Sequence, residues 1–192
     1  IKQSVFADND RQADALRREL KARGIFLLNL MSSPGAGKTT TLVQTIRALQ
    51  GTFPMAVMEA DIDSDVDAQT IAATGVQAIQ LHTGGMCHLD ADMTRQGLQG
   101  LEGVEGALVI LENVGNLVCP AEFDTLMFSI CDVVLINKTD VLPYFDFDLE
   151  ACRQRILRRN PNAKVIPICA KTGQGMEPWF QWLQEQVNDW RG

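Results

Sequence analysis

Six short apolar runs punctuate the chain: Ile25–Met31, Met55–Ala60, Ala78–Leu81, Ala107–Leu111, Val133–Asn137 and Lys164–Cys169. They read as continuous hydrophobics rather than in–out alternation, the pattern of strands covered on both faces. Around them lie stretches with apolar residues at helical spacing: Asp8–Arg23, Thr39–Leu49, Asp65–Ala73, Asp90–Leu98, Phe147–Arg159 and Pro178–Trp190. Pro178 stands in a first turn, where its missing N–H has no intrahelical partner to lose. Strand–helix alternation predicts an α/β fold with a mainly parallel sheet and helices on both faces, binding ligands at the carboxyl ends of the strands. Residues 1–24 read as an N-terminal helical segment packed on the main domain, and residues 25–192 as that domain.

The first strand runs into Ser32–Thr40, SSPGAGKTT, and then directly into a helical pattern. A strand, a glycine-bearing loop and a helix opening on Gly-Lys-Thr form a phosphate cradle. Backbone N–H groups of Gly35, Ala36, Gly37, Lys38, Thr39 and Thr40 converge on the anion, and the helix N-terminus adds partial positive charge. Lys38 reaches the β- and γ-phosphates, and the Thr39 hydroxyl faces Mg²⁺. The expected ligand is a nucleoside triphosphate.

The base is read from Val133–Asp140, VVLINKTD, a buried strand ending in Asn-Lys-x-Asp with Lys138 100 residues after Lys38. A carboxylate at Asp140 accepts hydrogen bonds from guanine N1–H and the N2 amine, and repels the acceptor that adenine presents at N1. Such a site discriminates strongly, because the wrong base leaves buried polar groups unpaired. The stem of Lys138 covers the base face, and Asn137 ties this loop to the phosphate loop. A second element, Ile168–Gly173 (ICAKTG), follows the last strand, and its backbone at Ala170–Lys171 approaches the guanine O6. GTP and GDP are therefore the expected nucleotides.

Asp61, ending the strand MAVMEA, and Glu112, opening ENVG after ALVIL, are the candidate acids for Mg²⁺ and, with Lys38, for catalysis. Gly115 is placed to sense the γ-phosphate through its N–H. Asp63 and Asp65 of the acidic loop Asp61–Asp67 read as a solvated turn, with Asp65 as a helix N-cap. Asn116 stands where fast GTPases carry a water-orienting glutamine, and it is one methylene shorter. Without that glutamine or an arginine finger, unassisted hydrolysis is expected at or below about 10⁻³–10⁻² s⁻¹.

A soft donor set lies in two further loops, Cys87 and His88 in HTGGMCHLDA and Cys119 in LVCP. Two thiolates and an imidazole suit Ni²⁺ or Zn²⁺, and three ligands leave a position open to water or a twofold partner. Cys119 is four residues past Gly115, so a γ-phosphate-driven shift of that loop moves a ligand, coupling nucleotide state to metal affinity in both directions. Cys131, Cys152 and Cys169 fall in or beside apolar runs and read as inert hydrophobes. His82 reads as a packing histidine.

Composition narrows the partners. At 192 residues, with 46% hydrophobic and 21% charged residues, the chain has the make-up of an ordinary soluble domain. A net charge of −7 and no lysine/arginine run longer than two argue against a nucleic-acid or anionic-membrane partner. No apolar stretch nears the roughly 18 residues needed to span a bilayer, and no signal-peptide pattern opens the chain. Five scattered cysteines lack a disulfide spacing, which predicts a reducing, cytoplasmic location. The chain opens on Ile1 rather than Met, which leaves residues upstream of it open.

Taken in order, SSPGAGKTT, the acidic loop ending DVDA, TGGMCHLDA, ENVGNLVCP, INKTD and AKTGQG resemble the HypB family, the GTPases of nickel–iron hydrogenase maturation. The resemblance runs from about residue 25 onward. It implies a three-layer P-loop NTPase fold of the class that dimerises around nucleotide. It also implies GTP hydrolysis coupled to nickel insertion into the hydrogenase large subunit precursor, alongside a nickel-binding partner, HypA. By position, Lys38 and Thr39 bind phosphate and Mg²⁺, Asn137, Lys138 and Asp140 read guanine, and Cys87, His88 and Cys119 are metal ligands at a homodimer interface. Three departures stand out. Ser32 replaces the first glycine of the general phosphate-loop pattern. Ser33 stands where some dimerising relatives place a trans-acting lysine. The N-terminal cysteine cluster and histidine-rich stretch of some members do not occur in residues 1–24.

The alternatives are a urease-type nickel-maturation GTPase, a P-loop small-molecule kinase and a passive metal-storage protein. The first typically shows Cys-Pro-His, whereas Cys87 and His88 are adjacent. NKTD and the lack of an arginine-rich lid oppose the second, and the intact Lys38–Thr39 pair opposes the third.

Overall fold

A computed structural model of the chain describes residues 2–60, 65–81, 89, 91–113 and 128–192, with side chains from residue 11 in the first helix and from residue 69 in the third. The strands are β1 (Phe26–Leu30), β2 (Met55–Glu59), β3 (Gln77–Gln80), β4 (Leu108–Glu112), β5 (Val133–Ile136) and β6 (Lys164–Pro167). The helices are α1 (Lys2–Ala22), α2 (Lys38–Leu49), α3 (Asp65–Ala72), α4 (Ala91–Gln99), α5 (Leu149–Arg159) and α6 (Glu177–Arg191).

Every predicted strand and helix is present. The first helix starts at Lys2 rather than Asp8, since no breaker precedes Asp8. The fifth starts at Leu149 because Asp148 takes the N-cap, its carboxylate accepting from the Ala151 amide at 2.8 Å. A short 3-10 turn at Thr139–Tyr144 was not read from the pattern. It is only six residues long and contains Pro143, so it carries no helical periodicity.

Four strands form a parallel sheet in the order β1-β4-β2-β3, while β5 and β6 pair in a second parallel ladder. β4 is buried along its whole length and β2 along most of it. Their side chains alternate between two cores, as the pleat requires. Val57, Leu108 and Ile110 face one core with Leu42, Val43 and Ile46 of α2, Ile71 of α3, Ile166 of β6, and Trp179 and Leu183 of α6. Ala56, Met58, Val109 and Leu111 face the other, with Leu16 and Leu20 of α1 and Leu98 of α4. Helices therefore cover both faces, as the uninterrupted apolar runs predict. Each fully buried leucine or isoleucine contributes about 1.5–3 kcal/mol.

Helix α1 lies along α4. Leu16 and Leu20, one turn apart, are its buried stripe, and Glu19 reaches Arg95 of α4 at 3.4 Å. At its far end the Lys21 ammonium sits over the Trp190 ring, 5.3 Å from the centroid, and donates to the Trp190 carbonyl. Trp190 in turn meets Phe26 of β1 edge-on at 6.2 Å.

Gly97 sets how closely α4 approaches the sheet. A Cβ there would lie 2.8 Å from Leu81 Cδ2 and 2.9 Å from Met58 Sδ. Gly97→Val is expected to lower the unfolding free energy by about 1–3 kcal/mol through overpacking, measurable by urea denaturation.

Candidate nucleotide-binding site

Parallel strands deliver their following loops to one end of the sheet, and the described members of the predicted site, in the loops after β1, β5 and β6 and at the end of β4, are found there. The chain leaves β1 at Leu30 and turns tightly, Ala36 N–H donating to the Ser33 carbonyl at 3.2 Å. It enters α2 at Lys38 through Gly37, whose backbone is left-handed at φ 91°. Glycine is required there twice over, by that φ and because a Cβ would fall 2.5 Å from Asn137 Nδ2. Gly37 makes no side-chain cap, and the first turn of α2 has no acidic residue. The leading N–H groups of the helix thus face outward with the positive end of its dipole, a seat for phosphate. Lys38 and Thr39 are half-buried at this seat and Thr40 is exposed.

The loop after β5, which carries the predicted base-reading residues, is joined to this cradle chiefly through Asn137. Asn137 Nδ2 donates to the Ala36 carbonyl at 2.9 Å, while its Oδ1 accepts from the amides of Lys138 at 2.8 Å and Ala170 at 3.0 Å. Three loops therefore meet on a single amide group. Lys138 adds a second tie, its ammonium donating to the Gly35 carbonyl at 2.6 Å. Its backbone is left-handed (φ 66°), alone among the described non-glycine residues. Asp140 follows in the first turn of the 3-10 segment and is exposed. Ala170 is buried and its N–H is engaged by Asn137, whereas Lys171 is exposed.

Glu112 ends β4 as expected, and it is buried. The register places Glu59, the last residue of β2, directly beside it, also buried. The motif pattern points to Asp61 at this strand end and not to Glu59. The available signal was a carboxylate closing an otherwise apolar strand. The strand ends are knit together by Ala60 N–H donating to the Glu112 carbonyl at 2.9 Å and Asn113 Nδ2 donating to Asn29 Oδ1 at 3.2 Å.

Asp61, Cys87, His88, Gly115 and Cys119 lie outside the described residues, as do His82 and Asn116, and so does the side chain of Asp65. Their segments leave the carboxyl ends of β2, β3 and β4, the edge that holds the phosphate loop. Among the described residues no group of three His, Cys, Asp or Glu side chains is placed to hold a metal ion. Cys169 is fully buried and Cys131 and Cys152 half-buried, all three as free thiols. Burial pushes the Cys131 thiol above its usual range, consistent with an inert residue. No helix among the described residues is long and apolar enough to cross a membrane.

Residues 26–130 match the family model for the CobW/HypB/UreG nucleotide-binding domain. The chain belongs to this family. Within it, a hydrogenase maturation factor HypB from Azotobacter chroococcum is 45% identical, the match covering 97% of this chain and 68% of that protein. HypB from Archaeoglobus fulgidus superposes with a TM-score of 0.85 at 30% identity, covering 94% of this chain and 99% of the other. HypB from Helicobacter pylori, solved in complex with nickel, superposes with a TM-score of 0.84 at 29% identity, covering 95% and 96% respectively.

The Asn137 junction makes a prediction for this CobW/HypB/UreG domain in the absence of any nucleotide. Asn137→Ala leaves one carbonyl and two amides without their partner and is expected to cost about 1–3 kcal/mol of stability. Urea unfolding of the nucleotide-free chain measures it.

Proposed function

We propose that this chain is a GTP-binding, slowly hydrolysing metallochaperone that couples GTP turnover to nickel insertion during nickel–iron hydrogenase maturation. The observation that carries the nucleotide half is the Asn137 hub, which locks a guanine-reading loop onto a phosphate cradle whose helix N-terminus is uncapped. In this reading Gly35 to Thr40 seat the phosphates, with Gly115 at the γ-phosphate. Asp140 pairs the N1 and N2 edge, and the Lys138 stem, held at its tip by Gly35, covers the base. The Lys171 amide is the donor for guanine O6; Ala170 could serve only by sharing or surrendering its bond to Asn137.

Mg²⁺ suits the hard oxygen donors available: the Thr39 hydroxyl, the Glu112 carboxylate at the adjoining strand end and Asp61. When bound, it offsets the phosphate charge as the β–γ bond breaks. Lys38 orients the γ-phosphate, and Glu112 holds the ion's side of the site. With Asn116 after Gly115 in place of glutamine, unassisted turnover stays at or below about 10⁻³–10⁻² s⁻¹.

The cargo is Ni²⁺, with Zn²⁺ the competing ion, on Cys87, His88 and Cys119. Support comes from the soft character of that donor set and from the Helicobacter pylori relative solved with nickel. The hydrogenase maturation names of the relatives support the client, a hydrogenase large subunit precursor, and with it HypA as the nickel-binding partner, in the cytoplasm. A homodimer is supported by the exposed aromatics Tyr144 (82%), Phe145 (68%) and Phe147, which follow one another along the segment after the base-reading turn. Contiguous exposed aromatics of this kind mark protein contact surfaces.

Two experiments test the reading. Asp140→Asn should weaken GTP about 10- to 100-fold, the loss of charged hydrogen bonds, and bind xanthosine triphosphate better than GTP, since its C2 oxygen then meets an amide donor. Unchanged GTP affinity by calorimetry refutes the base assignment. In analytical ultracentrifugation, a non-hydrolysable GTP analogue with nickel should shift the chain to a dimer relative to GDP alone, and Cys119→Ala should abolish the nickel-dependent part. A monomer under all conditions refutes the dimeric metal site.

A further inference from the structure

We infer that Trp179, in the last helix of the chain, is a positioning residue for the phosphate cradle, a role that rests on the nucleotide reading above. Trp179 lies in the first turn of α6, stacked on Trp182 with centroids 5.5 Å apart. Its indole N–H donates to the Thr45 hydroxyl of α2 at 2.9 Å, across 134 residues of sequence, in a buried setting.

An indole nitrogen only donates, and a hydroxyl carries one hydrogen. By accepting from Trp179, Thr45 is left to direct its own hydrogen to the Thr41 carbonyl, 2.7 Å away. One turn nearer the cradle, the Thr41 hydroxyl donates to the Gly37 carbonyl at 2.8 Å, beside the ordinary helical bond from Thr41 N–H at 3.0 Å. Trp179, Thr45 and Thr41 are all buried, so water does not compete for these bonds.

The Gly37 carbonyl belongs to the same peptide unit as the Lys38 N–H. In a planar trans peptide the two groups point in opposite directions. Holding the carbonyl down the helix with two donors therefore aims the Lys38 N–H out of the helix end, toward the phosphate seat. Gly37 needs this restraint because glycine at φ 91° has no side chain to limit its rotation. Trp179 fixes the Thr45 rotamer and seats α2 against α6, and the two threonines carry that placement to the loop. None of the three side chains touches the nucleotide in this arrangement.

The test uses the full chain and two probes, GDP and GMP, each competing against a fluorescent guanine nucleotide. The cradle holds the β-phosphate, which GMP lacks. Trp179→Phe keeps an aromatic ring in the core and removes only the donor, while Thr45→Val and Thr41→Val remove the hydroxyls. Each should weaken GDP about three- to tenfold and GMP less than twofold, and Thr45→Ser, which restores the hydroxyl, should bind GDP like the original chain. Unchanged GDP affinity in the three variants overturns the inference, as does equal loss for GDP and GMP, or a Thr45→Ser variant as weak as Thr45→Val. Failure of the unsubstituted chain to bind GDP would remove the nucleotide reading itself, and this role with it.

Discussion

One side-chain amide holds the site together. Asn137 joins the end of β5, the phosphate loop before α2 and the turn after β6 through one donated and two accepted hydrogen bonds. These loops are far apart in sequence. The turn after β6 is seated in the apolar core through Ile168, Ala170 and Met176, and directional hydrogen bonds set how the other two loops meet it. Gly37 completes the junction by lacking the Cβ that would collide with Asn137. The loop after β5 and the loop before α2 are therefore held together as a single unit.

The charge arrangement around this unit is asymmetric. The end of α2 offers uncapped N–H groups and Lys38, while the ends of β2 and β4 bring Glu59 and Glu112 side by side in buried positions. This pairing of buried carboxylates beside the end of β1 is the reason Mg²⁺ is proposed for the site, since a divalent cation offsets their charge next to a phosphate.

Support also comes from beyond the site. The core on the α2 side is closed by α6, whose Trp179 and Leu183 pack with Leu42 and Ile46. The last helix is thereby joined to α2 through both apolar packing and a hydrogen bond. The opposite core is closed by α1 on α4, pinned by Glu19–Arg95 and by Lys21 against Trp190. The carboxyl end of α1 thus meets the last helix beside Phe26, at the start of β1.

Local chemistry was enough to read much of this from residue order. Continuous apolar runs predicted six strands covered on both faces; all six form, but only β2 and β4 are buried along most of their length, the outer four being partly open. The turn of SSPGAGKTT into α2 was legible because turn geometry and helix termini are local properties. The tie from Asn137 to the phosphate loop was also legible, since both motifs had to meet one ligand. Residue order could not show the third partner, Ala170, nor the burial of Glu59 beside Glu112, which depends on strand register. Nor could it show that Lys138 anchors on Gly35, or that Thr41 and Thr45 link to Trp179 across the core. Those contacts depend on which distant segments are brought within about 3 Å of each other, and only the packed fold decides that.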